Sequence, residues 1–138
     1  KTNRGGKITL HNPGQKIIYL ALDLSKRKKD IRNLVKNIEN SIIEFLKIYK
    51  IRSYADKKNI GIWVNGKKIA AIGIRVSQWI AYHGCSINIT NSLDPYQKII
   101  PCGLDNKKVT SVRKEIKARV KNVEKNLINI FKKNLKNI

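Results

Sequence analysis

Between Ile31 and Tyr49 the apolar residues Ile31, Leu34, Val35, Ile38, Ile42, Phe45, Leu46 and Tyr49 recur at three- and four-residue intervals, the spacing of one helical face. No other feature constrains the chain as strongly. Asp30 stands where an N-cap belongs, so the spacing predicts a helix over 30–50. Elsewhere the pattern is that of strands. Residues 7–10 and 15–24 read as short strands around the turn-forming run His11, Asn12, Pro13 and Gly14. Residues 52–55, 60–64, 68–76, 78–82 and 84–90 read as further strands, and Asn65-Gly66 accepts the positive φ angles of a two-residue hairpin turn. Residues 91–108, with Pro95, Pro101 and Gly103, read as a long ordered loop around Cys102. Residues 111–138 read as one helix, with Val120, Val123, Leu127, Ile130, Phe131 and Leu135 along its apolar side. Helices and a strand-rich middle within 138 residues make one α/β domain.

Composition narrows the function classes. The chain holds 30 Lys and Arg against 9 Asp and Glu, a formal net charge of +21. Such a charge suggests a nucleic-acid partner. However, the excess is spread along the whole length, with no stacking motif, recognition-helix signature or zinc finger beside it, and Lys, Ile and Asn share A- and T-rich codons. Neither a nucleic-acid nor a membrane partner is therefore expected. The longest apolar stretch, residues 17–22, is too short for the roughly 20 residues of a membrane-crossing helix. No secretory signal pattern is visible, and two cysteines, Cys85 and Cys102, are too few for a disulfide framework or a cysteine-based zinc site. A reducing, cytoplasmic setting is expected, or an organelle if a targeting segment precedes the chain, and no structural metal.

Three clusters could carry chemistry: Arg4-Gly5-Gly6 through His11 to Gln15, Lys68-Ile69-Ala70-Ala71-Ile72-Gly73, and Ile100-Pro101-Cys102-Gly103. Taken singly each has an ordinary structural reading, as turn glycines, a solvated strand lysine and a small buried thiol. Together with Gly61-Ile62-Trp63-Val64, His83-Gly84, Asn88 and Val109-Thr110-Ser111, their order and spacing resemble the octanoyl (lipoyl) transferases, the lipoate-protein ligase B type. The discriminating pair is the lysine strand followed 34 residues later by Pro-Cys-Gly. The resemblance implies a mixed β-sheet with flanking helices, similar to biotin and lipoate ligase catalytic domains. The family's domain begins well before the Arg-Gly-Gly motif, so the resemblance also implies a domain lacking its N-terminal segment.

Carried over residue by residue, the resemblance makes Cys102 the acyl-accepting nucleophile and Lys68 its partner. A thiolate attacks a thioester, and a nearby ammonium stabilises the thiolate. Substrate-binding stretches fall on Arg4, Gly5, Gly6, Lys7, Ile8, Thr9, Leu10 and His11, on Ala71, Ile72 and Gly73, and on Gly84, Cys85 and Ser86, although the strand pattern alone assigns Cys85 to packing. Small residues there would admit an eight-carbon chain and let backbone N–H groups reach an oxyanion. His11 and His83 are expected to orient neighbours through hydrogen bonds. Asn12 replaces the family's usual glycine and is expected to take a left-handed turn position. The implied function is transfer of octanoate from octanoyl acyl carrier protein to the lipoyl-domain lysine of 2-oxoacid dehydrogenase complexes and of the glycine cleavage H protein. No cofactor, ATP or metal is expected, and the enzyme is expected to be a monomer. An ATP-dependent lipoate ligase and a basic nucleic-acid- or membrane-binding fragment are the competing readings.

Overall fold

The computed structural model describes residues 10–98, 109–136 and 138. Strand β1 (Gln15–Asp23) leads through a 3₁₀ turn at Leu24–Lys26 into helix α1 (Ile31–Ile48). Strands β2 (Tyr54–Ala55), β3 (Ile62–Val64), β4 (Lys67–Ser77) and β5 (Ile80–Asn88) follow, and then helices α2 (Asp94–Lys98), α3 (Val112–Ile116) and α4 (Val123–Leu135). The strands form one sheet in the order β1-β5-β4-β3-β2. All neighbours are antiparallel, and a parallel bridge between Lys68 and Val109 gives the sheet its mixed character.

The predicted helix is α1, and its stripe does what the spacing requires: Leu34, Ile38, Ile42, Phe45 and Leu46 are buried. Asp30 caps it, accepting a hydrogen bond from the Asn33 N–H at 2.9 Å. Replacing Asp30 with alanine is expected to lower the stability by about 1 kcal/mol, read as a reduced urea midpoint with an unchanged slope. Helix α4 packs on α1, adding Leu127, Ile130, Phe131 and Leu135 to a core that also holds Ile62, Val64, Ala70, Ala81, Cys85 and Ile87 from the strands. Lys133 pairs with Glu44 across the two helices and, with Asn134, holds the Glu44 carboxyl below its usual range.

The predicted hairpin turn is present, with φ +48° at Asn65 and +73° at Gly66. Four expectations need correction. Residues 78–82 and 84–90 are not two strands: β5 is continuous, and Gln78 and Trp79 form a second two-residue turn with φ +48° and +63°. Neither residue favours that region; the pairing of Ser77 with Ile80 imposes it. The C-terminal helix is two helices, broken where Lys117 and Asn122 take positive φ. Part of the long loop is helix α2. Only Tyr54 and Ala55 of residues 52–55 form a strand. The expected strand over 7–10 lies outside the described residues except for Leu10.

Candidate functional site

Registration of the sheet brings two of the three candidate stretches side by side. Ala71, Ile72 and Gly73 on β4 face Ser86, Cys85 and Gly84 on β5, and these in turn face Ile17, Ile18 and Tyr19 on β1. Because side chains alternate along a strand, Ile18, Cys85 and Ile72 form a row directed to the core. Ala71, Gly73 and Ser86 belong to the opposite face, where Ala71 and Gly73 are half-buried and Ser86 is buried.

Cys85 is 5% exposed, and burial pushes its thiol up to about 12. It therefore packs as a small apolar group, as the strand pattern alone suggests. With so little thiolate, Cys85 in the folded protein at pH 8 is expected to react with iodoacetamide about a thousandfold more slowly than an exposed thiol, checked by peptide mapping with and without denaturant. Ser86 is also buried.

A polar cluster gathers at the start of β1 and the end of β5. The Gln15 amide donates to Asn88 Oδ1 at 2.9 Å and to the Tyr96 hydroxyl at 2.7 Å. Asn88, 5% exposed, donates to the Thr110 carbonyl at 3.0 Å, and Asn91 donates to Asn88 Oδ1 at 3.2 Å. Burial pushes the Tyr96 hydroxyl up, so it keeps its proton for the Leu10 carbonyl at 3.2 Å or Asn88 Oδ1 at 3.3 Å. Nδ1 of His11 lies 2.7 Å from Gln15 Oε1, and since an amide oxygen only accepts, that nitrogen carries the hydrogen. His11 thus has the orienting bond expected of it. His83 does not: its Nε2 is buried with no partner among the described residues. Asn12 does not take a positive φ. Its side chain instead donates to the Ser92 carbonyl at 2.8 Å and accepts from Asn91 at 3.1 Å. Gln15, Tyr96 and Thr110 tie together residues 10–15, 88–96 and 109–111, the segments next to the undescribed residues 1–9 and 99–108.

Lys68 stands at the junction of β3, β4 and the returning chain. Its carbonyl accepts from the Thr110 N–H at 2.9 Å, its backbone bridges Val109, and its ammonium donates to the Ile60 carbonyl at 2.8 Å. The same ammonium lies 5.5 Å from the centre of the Trp63 ring. Cys102, its expected partner, lies outside the described residues, as do Arg4, Gly5, Gly6, Lys7, Ile8 and Thr9. Val109, where the described chain resumes, bridges Lys68. Among the described residues no three His, Cys, Asp or Glu side chains gather as a metal site. No described helix is long and apolar enough to cross a membrane.

Comparison with known proteins adds two kinds of likeness. A family model for the lipoyl protein ligase A/B catalytic domain matches residues 1–132. An octanoyltransferase of Wolbachia pipientis subsp. Culex pipiens is 50% identical over 119 residues, covering 83% of this chain and 58% of that protein. The chain thus spans little more than half the length of this relative. Among solved structures, a lipoate-protein ligase A bound with ATP superposes with a TM-score of 0.76 at 15% identity, covering 97% of this chain and 57% of that one. The biotin protein ligase of Aquifex aeolicus gives 0.69 at 17% identity, over 89% of this chain and 53% of that one. At these identities the structural likeness speaks for the fold alone.

Proposed function

This chain belongs to the lipoyl protein ligase A/B catalytic domain family, and from that premise we propose that the full-length protein is an octanoyltransferase working through Cys102 and Lys68. The observation carrying this reading is the 50% identity over 119 residues to a protein named octanoyltransferase. The fold does not choose between transferase and ligase, because ATP-bound ligase A shares it. Chemistry favours the transferase: a ligase that activates its acid with ATP has no need of a cysteine nucleophile, whereas transfer through a protein thioester uses one.

In the proposed reaction the Cys102 thiolate, stabilised by the Lys68 ammonium, attacks the octanoyl thioester carried by the phosphopantetheine of acyl carrier protein. The resulting oxyanion collapses, the carbon–sulfur bond to phosphopantetheine breaks, and Lys68 gives its proton to the departing sulfur. Octanoate is now a thioester of Cys102. The neutral amine of a lipoyl-domain lysine attacks that thioester, its surplus proton passes to Lys68, and the Cys102 thiolate leaves beside a regenerated ammonium. The product is an amide. Arg4 to His11, Ala71 to Gly73 and Gly84 to Ser86 are proposed to bind the acyl group; support for the latter two stretches is their registration on adjacent strands. Acidic substrate proteins would be attracted by a net charge of +21. Neither ATP nor a metal takes part. Intact-protein mass spectrometry after mixing the full-length protein with octanoyl acyl carrier protein tests the reading: an octanoyl adduct supports it, and modification that requires ATP and free acid overturns it.

A further inference from the structure

A lysine side chain has four rotatable carbon bonds, so an ammonium that must meet a sulfur at close range has to be held there by something. Three neighbours do this for Lys68. The stem crosses Gly61, where an added Cβ would lie 2.5 Å from Lys68 Cε and 3.1 Å from its Nζ. The head donates to the Ile60 carbonyl and stands over the Trp63 ring within cation–π range.

This arrangement is built, not incidental. Between the pairs Ile62 with Ala70 and Trp63 with Lys68 the ladder shifts by one residue, leaving Ile69 as the extra residue of a bulge, a device that re-aims the side chains beside it. Gly61 itself has φ +139°, a backbone conformation that L residues rarely adopt. The loop presenting the Ile60 carbonyl is tied at both ends: Asp56 accepts from the Lys58 N–H at 2.8 Å and from the Asn59 amide at 3.0 Å, and the Trp63 indole donates to the Asn59 carbonyl at 2.9 Å.

We propose that Gly61, Trp63 and the Ile60 carbonyl form a cradle that fixes the Lys68 ammonium in its working position, making them positioning residues for acyl transfer. The cradle rests on the reading of Lys68 as the partner of Cys102. The test is the pH–rate profile of Cys102 alkylation by iodoacetamide in the full-length protein, read by peptide mass spectrometry, for Gly61→Ala, Trp63→Leu and Lys68→Ala. Thermal melting selects the folded variants. Trp63→Leu keeps apolar bulk and leaves the close approach at Gly61 intact, so it decides the matter should Gly61→Ala not fold. The expected result is a Cys102 midpoint moved upward by Gly61→Ala and Trp63→Leu toward that of Lys68→Ala, with alkylation at pH 7 slowed about tenfold, one unit of midpoint. A purely structural role would alter melting without moving the midpoint. If Lys68→Ala moves the profile and the folded cradle variants do not, the cradle is wrong and the partnership stands. If Lys68→Ala itself leaves the profile in place, the partnership falls and the cradle with it.

Discussion

Replacing Cys102 with serine is expected to abolish the octanoyl adduct and slow octanoyl transfer by about a thousandfold or more. The expectation rests on ionisation. A thiol beside an ammonium ionises near neutral pH, whereas a serine hydroxyl in the same place does not. Cys85→Ser is the matching control. Its thiol lies in the core row with Ile18 and Ile72, held near 12 by burial, so its loss should leave the adduct intact. Mass spectrometry of both variants after incubation with octanoyl acyl carrier protein decides the assignment. An adduct that survives Cys102→Ser and disappears in Cys85→Ser would reverse it.

Legibility of the sequence followed the strength of local physics. Helix α1 was readable because one apolar stripe and an N-cap agree, and the Asn65-Gly66 turn because both residues tolerate the φ it needs. The Gln78-Trp79 turn was not readable. Both residues have the same positive φ, yet only the pairing of β4 with β5 forces them into it. Likewise nothing local marked the break between α3 and α4, where Lys117 and Asn122 look like the polar face of a continuous helix.

The candidate site divides in the same way. Lys68 and the stretches 71–73 and 84–86 came from resemblance, and only the sheet register brings the two stretches together. The cluster of Gln15, Asn88, Asn91, Tyr96 and Thr110 was hidden because asparagine is abundant in this chain and a single amide says nothing about its partners. Gly61 and Trp63 belonged to a matching motif without a role. Their contact with Lys68 depends on a ladder shift, which leaves no signature in composition or period.

Gly84→Ala is expected to be strongly destabilising, costing about 3 kcal/mol or more. A Cβ on Gly84 would fall 1.8 Å from the Ile18 carbonyl oxygen and 2.9 Å from its carbon. Those atoms belong to the backbone of β1, so no side-chain rotation can relieve the overlap. The strands would have to part where Tyr19 pairs with Gly84, next to His83 with its φ of +69°. Gly84 therefore has a structural reason that requires no ligand, and this separates its role from that of its neighbours. If Gly84 serves only to let β1 and β5 approach, Gly84→Ala should lower the urea midpoint of the full-length protein with the slope unchanged, and the fraction that remains folded should still form the octanoyl adduct. If its backbone also contacts the acyl group, acylation of the folded fraction should fall as well. A midpoint within error of the parent protein would contradict the close approach itself, because a 1.8 Å contact cannot be absorbed without moving a strand.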